Sequence, residues 1–188
     1  MLTGLHSALQ RFGRARDGLA AVEFAFLLPV MITMFFGVVE VSQALSCRTD
    51  VTNVAATVAD LSAQASSLST SDVSNVFNAA GAILYPFDTS VAKITITSIA
   101  YDDVSKSLTS GKVAWSCSRN GTARTANDTV SLPDGLMTSG GSVIMAEVTY
   151  DYTSATTKTI TGPITMSNTF YTKPRRVAQI TGPTGCPS

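Results

Sequence analysis

The chain has 188 residues, with 13 Lys and Arg against 13 Asp and Glu, and only 14% of it is charged. That fraction is well below the usual quarter, and the zero net charge leaves no global field to attract nucleic acid or an acidic substrate. The length fits one domain beside a long helix. The Ser, Thr, Gly and small apolar residues that dominate beyond position 60 fit a β-rich extracytoplasmic domain better than a cytosolic enzyme.

Ahead of Gly18, Arg11, Arg14 and Arg16 stand against Asp17, a local excess of two positive charges. The remainder of the chain is therefore net negative by two. From Leu19 to Ser46 the sequence is apolar or small, interrupted in charge only by Glu23 and Glu40. As a helix this stretch reaches about 42 Å at ~1.5 Å per residue, enough to cross a hydrocarbon core of about 30 Å. Arginines just ahead of such a span place that end in the cytoplasm and the rest of the chain beyond the inner membrane of a bacterium. Pro29 removes one helical hydrogen bond and loosens the helix locally. Gly37 gives a small surface that another helix can approach closely. Glu23 at the entrance to the span is the anomaly, since a charge at the edge of hydrocarbon is expensive.

Four readings of this segment compete. It can be a plain anchor, a secretory signal cut near Ala44, or a lipoprotein signal ending at Cys47, although Ala44 stands where a leucine is usual, three places before the cysteine. The fourth reading accounts for Glu23. A glycine, four uncharged residues and a glutamate sit where a basic leader meets an apolar helix. This resembles a type IV prepilin processing site, with the cut between Gly18 and Leu19 and Glu23 as the fifth mature residue.

The longer stretch Arg16-Asp17-Gly18-Leu19-Ala20-Ala21-Val22-Glu23-Phe24-Ala25-Phe26-Leu27-Leu28-Pro29-Val30 resembles the start of the TadE/TadG-like family of tight-adherence pilus proteins. Gly37-Val38-Val39-Glu40 and Arg48 continue the pattern, which covers about residues 14 to 60. The resemblance implies a pilus-assembly pseudopilin with a pilin-like α+β fold. In that fold a long transmembrane and amphipathic helix packs on a small antiparallel sheet. It implies a cleavage site at Gly18 and Leu19, recognition through Glu23 and Phe24, and kink or packing roles for Pro29 and Gly37. The implied partners are other pseudopilins, the major pilin, the inner-membrane pilus platform and a prepilin peptidase. No cofactor, metal, nucleic acid or small-molecule substrate is implied. The protein would be the substrate of an enzyme and not itself one. The expected division is a leader at 1–18, the helix at 19–66 and an exported α+β domain at 67–188. Its expected location is the inner membrane with a periplasmic domain, or the extracellular pilus. A membrane-tethered binding or adhesion domain is the alternative.

Beyond Arg48, Val51, Val54, Ala55, Val58, Ala59 and Ala65 recur at helical spacing, so the helix continues with an apolar stripe. Ser66 to Ser71 reads as a polar linker, with Thr70 or Ser71 capping a second helix. That helix carries Val73, Val76, Phe77, Ala80 and Leu84 on one face, and Pro86 ends it. From residue 91 the period changes to two. Ile94 and Ile96 share one face while Ile99 and Tyr101 take the other parity, which predicts a bulge near Thr97–Ser98. Val113, Trp115 and Cys117 are expected on one face of a second strand. Ile144, Ala146, Val148, Tyr150 and Tyr152 share a face of a third, and Ile164 to Tyr171 forms a fourth. Three to five antiparallel strands are expected, with turns at Arg119-Asn120-Gly121, Pro133-Asp134-Gly135 and Gly140-Gly141.

Signs of chemistry are few. The one histidine, His6, lies in the leader, and no Cys/His spacing or phosphate loop is present. Asp102-Asp103 reads as an acidic turn, and Asp128 and Asp134 lack calcium-loop spacing. Asn120-Gly121-Thr122 and Asn127-Asp128-Thr129 match the glycosylation acceptor pattern, which short polar loops often do by chance. Lys173-Pro174-Arg175-Arg176 reads as a solvated basic cluster. Of Cys47, Cys117 and Cys186, the last two can form a disulfide in an oxidising compartment; spacing alone leaves three unpaired thiols equally open.

Overall fold

The computed structural model describes residues 17–154 and 163–187. The leader arginines and His6 lie outside the described residues. Helix α1 runs Asp17–Ala63 and α2 runs Thr70–Leu84. A short 3-10 turn, Thr89–Val91, leads into β1 (Ala92–Ala100), followed by β2 (Ser110–Arg119), β3 (Thr129–Ser131), β4 (Ser142–Tyr152) and β5 (Ile164–Thr172). The strands form one antiparallel sheet in the order β3-β2-β1-β4-β5. The fold is α+β, as the sequence predicts. Residues 1–43 and 44–188 form two separate units.

Within the second unit, the C-terminal part of α1 buries Cys47, Val51, Val54, Ala55, Val58 and Ala59. These join the buried face of α2, which is Val73, Val76, Phe77, Ala80 and Leu84 as the spacing predicts. Both pack with Ile94, Ile96, Ile144, Ala146, Val148, Tyr150 and Tyr152 of the sheet in one core. The cap of α2 is Ser69, not Thr70 or Ser71. The reason is a capping box: Asp72 N–H donates to Ser69 Oγ at 3.2 Å, and Ser69 N–H donates to Asp72 Oδ2 at 2.9 Å. Either neighbour as cap would forgo this reciprocal pairing of orphan donors.

A second, smaller core corrects the expected strand faces. Ile99, Val113, Val130, Leu132, Met137, Val143 and Met145 cluster together. Strand β1 pairs with β4 without interruption from Ala92 to Ala100. Ile99 changes sides because both sheet faces are buried at this end. The register shift falls between Ser98 and Ile99 and only in the pairing with β2, where Ser98 meets Trp115 and Ile99 meets Val113. Ala114 is thus the extra residue, and the bulge belongs to β2. Val113 therefore joins the second core while Cys117 joins the first, so Val113, Trp115 and Cys117 do not share a face. Gly111 lies where a Cβ would sit 2.6 Å from the Ala100 carbonyl oxygen and 2.7 Å from Ile99 Cγ2. Only glycine permits that approach.

The predicted turns hold Asn120 and the glycines Gly135 and Gly140 at positive φ, 56°, 82° and 69°. After β5 the chain forms a strap over the first core. Ile180 is fully buried, and the Trp115 indole N–H donates to its carbonyl at 2.9 Å. Leu68 N–H donates to Thr181 O at 2.9 Å, and Thr70 Oγ1 to Gly185 O at 2.7 Å. Cys186 then closes a disulfide with Cys117, 69 residues earlier.

Candidate functional site

The residues that carry the sequence signature all lie on the first part of α1. Gly18, Leu19, Glu23, Phe24, Pro29 and Gly37 are exposed. So are the bulky residues among them, with Phe26 at 77% and Phe35 at 64%. The most apolar 18-residue window of α1 has a mean hydropathy of 2.2, and none of it is buried within the chain. A core helix of a water-soluble domain hides such a face. This helix is long and apolar enough to serve as a membrane anchor.

Pro29 stands inside α1 without ending it. Thr33 Oγ1 donates to the Pro29 carbonyl at 2.8 Å. This bond satisfies the Thr33 hydroxyl from within the helix, as a hydrocarbon environment requires.

Among the described residues, a Cβ on Gly18 or on Gly37 would meet nothing within 4 Å, in contrast to Gly111, where a Cβ collides with backbone. Gly37 stands in the interior of α1, where glycine costs about 1 kcal/mol relative to alanine. No described contact requires that cost.

Leu19 and Glu23 are one turn apart on the same side of the helix. The described ion pairs are Lys93–Asp151, Arg124–Glu147 and Arg175–Asp60, and none uses Glu23.

The sequence signals in the second unit resolve into structural roles. The Asn120 amide donates to the carbonyls of Ala92 and Thr89 at 3.0 and 3.3 Å, which ties the β2 turn to the start of β1. Asp102 accepts the Val104 N–H, and this bond holds its carboxyl below the usual range. Arg175 pairs with Asp60, and its N–H donates to the Ala63 carbonyl at 2.9 Å. That basic cluster therefore pins the strap to the end of α1. Arg124 forms a fork on Glu147 at 2.7 and 3.1 Å, which raises the guanidinium further above its ordinary value. Cys47 is the free thiol; burial, aided by Asp50, pushes it up to about 11. Among the described residues no three His, Cys, Asp or Glu side chains cluster as a metal would need.

The strap is the feature that sequence reasoning missed. Its one signal is Ile180, an isolated large apolar residue in a Gly-, Pro- and Thr-rich tail that also holds a cysteine.

An unburied apolar helix followed by an antiparallel α+β domain is an architecture compatible with membrane anchoring, and the signature residues lie on the helix. Residues 18–60 match the family model described as TadE-like protein. This match supports a role in tight-adherence pilus assembly and association with pilus components. The family is not known as enzymatic. No curated protein and no solved structure matches the chain.

Proposed function

We propose that this chain is a minor pilin or pseudopilin of a tight-adherence pilus. In this reading residues 1–18 are a leader and a prepilin peptidase cuts between Gly18 and Leu19. Residues 19–66 are the assembly helix, and 67–188 are a periplasmic domain that stays at the inner membrane or enters the filament. The observation that carries the reading is the pair of helical glycines with no steric role among the described residues. Gly18 fits a requirement set by a peptidase, and Gly37 one set by a neighbouring helix.

The proposed chemistry follows from the helix geometry. Cleavage gives Leu19 a new ammonium. Glu23, one turn along, is placed to pair with the amino terminus of an adjacent subunit. In a low-dielectric surrounding an unpaired carboxylate is costly, so the pairing selects register between subunits. Phe24 flanks that contact. Partners in this reading are other pseudopilins, the major pilin and the inner-membrane platform.

Mass spectrometry of the mature N-terminus tests the proposal. The expected result is a chain beginning at Leu19 that is lost when the prepilin peptidase is deleted. An intact Met1, or a cut near Ser46, would sink it in favour of a tethered binding domain or a cleaved secretory signal. Glu23→Ala should leave insertion and processing intact but impair assembly; normal piliation in that variant removes the role given to Glu23.

A further inference from the structure

The two edges of the sheet differ in kind. On one side β3 is only three residues long. Beyond it the flank of β2 is occupied: Val113 N–H donates to the Asp128 carbonyl, and Asn127 N–H to the Val113 carbonyl. On the other side β5 runs nine residues and pairs with β4 in unbroken register from Ile164 to Thr172. Among the described residues, nothing pairs with its outer backbone.

Proteins usually blunt such an edge with charge, proline, a bulge or shortness. Strand β5 has none of these: its sequence, Ile-Thr-Met-Ser-Asn-Thr-Phe-Tyr-Thr, is uncharged and lacks proline, and its register is regular. The side chains opposite the first core also run off the edge. Ile164 faces Tyr152, and Phe170 faces Ala146. Tyr152 and Ala146 are buried, while Ile164 and Phe170 remain 49% and 41% exposed.

We propose that β5 is an interface on which a second copy of this chain adds its own β5, antiparallel, about a two-fold axis through Asn168. The occupant is indicated by self-complementarity. In that register Met166 lies opposite the partner's Phe170, Ser167 opposite the partner's Thr169, and Thr165 opposite the partner's Tyr171. Met166 and Phe170 meet as apolar residues and the Ser167–Thr169 and Thr165–Tyr171 pairs as hydroxyls, while Ile164 meets Thr172 at each end and Asn168, whose amide bonds Thr52 in its own chain, sits on the axis. Such cross-strand pairs are the stabilising unit of a sheet. Lys173 falls opposite the partner's Pro163, so no like charges oppose each other. The closed two-fold also stops growth at a pair.

A nine-residue edge is a small interface beside the ~1,000 Å² of a stable free complex. The pairing is therefore weak between free domains and is favoured when a shared membrane raises the effective concentration. That last clause rests on the anchoring reading; the strand pairing does not.

The test is oxidative cross-linking of the full chain carrying Asn168→Cys, read on a non-reducing gel. Background is low because Cys47 is buried and Cys117 is bonded to Cys186. The expected product is a dimer at twice the mass of the monomer seen on the reducing gel. Val104→Cys, at a residue 91% exposed and away from the edge, should give none.

Ile164→Cys and Thr172→Cys should cross-link when the two variants are co-expressed. This pair keeps the Asn168 side-chain bond to Thr52 in case its loss harms folding. Phe170→Lys added to Asn168→Cys should abolish the dimer. No dimer from either cysteine design, equal dimer from Val104→Cys, or a product with a different protein each overturns the proposal. Cross-linking is read in whichever cell fraction holds the chain. A soluble chain overturns the anchoring reading, whereas the dimer alone decides the strand pairing.

Discussion

Gly182→Ala is a sharp probe of how the second unit is held shut. A Cβ at this position would lie 2.2 Å from Trp115 Cγ and 2.4 Å from Cδ1. The obstacle is the body of an indole ring, not the end of a flexible chain, so either the strap or the tryptophan must move. Two contacts go with that movement. Ile180, fully buried two residues earlier, loses its cover, worth about 2–3 kcal/mol for a side chain of this size. The bond from the Trp115 indole N–H to the Ile180 carbonyl adds about 1 kcal/mol. Together they predict a loss of about 3 kcal/mol.

Trp115 is the single tryptophan of the chain, so its emission reports the contact directly. Urea unfolding of residues 44–188, which form one compact unit, should show a midpoint lower by about 1.5 M for a slope of ~2 kcal/mol/M. The native emission should shift to the red. Gly185→Ala is the matched control, because a Cβ there meets nothing within 4 Å. If Gly182→Ala keeps the parent midpoint and emission, or if both variants lose stability equally, the strap does not seal the core in the way described.

Cys186→Ser should destabilise the unit by about 4 kcal/mol on the loop-entropy scale for a closure of 69 residues. A shift in urea midpoint equivalent to less than about 1 kcal/mol would contradict this. Gly37→Leu should leave the fold of residues 44–188 unchanged in circular dichroism, since residue 37 lies outside that unit and a Cβ there meets nothing within 4 Å, yet weaken helix association in a membrane two-hybrid assay. Unchanged association would remove the packing role of Gly37. The capping box sets an acid limit as well. The Ser69 bonds hold the Asp72 carboxyl below its ordinary 3.8, so its contribution is present above that value. The contribution falls away as pH drops through the lower folded-state value, so Asp72→Asn should lower the neutral urea midpoint and flatten this part of its acid profile; an unchanged profile would remove the role given to the capping box.

Periodic elements were legible in the sequence because burial repeats along them. The α2 face came out residue by residue, and so did the β4 face that meets the first core, since each keeps one period along its whole length. The cap was displaced by one residue because Ser69 and Asp72 can serve each other, a pairwise effect that propensity does not weigh. The β2 faces were misjudged for a different reason. A sheet with two cores makes a change of parity look like a bulge in β1, when the added residue is Ala114 across the ladder. Strand β3, at three residues, is too short to show a period. The strap has no period at all, since its hold comes from one plug, one disulfide and backbone bonds to distant residues. For the candidate site the opposite holds. Gly18, Glu23 and Gly37 were legible as a sequence pattern, and among the described residues no neighbour comes within 4 Å of a Cβ at either glycine.

The strap also orders events in time. Its bonds reach back to Ser66, Leu68 and Thr70, across more than a hundred residues of chain. The core that Ile180 plugs therefore stays open until the strap itself has been synthesised. The apolar half of α1 is complete long before that moment. A newborn chain therefore has a long interval in which its greasy helix can find a bilayer while the domain behind it is still unsealed. Contacts this distant in sequence close slowly, so the helix can settle its environment before the domain settles its shape.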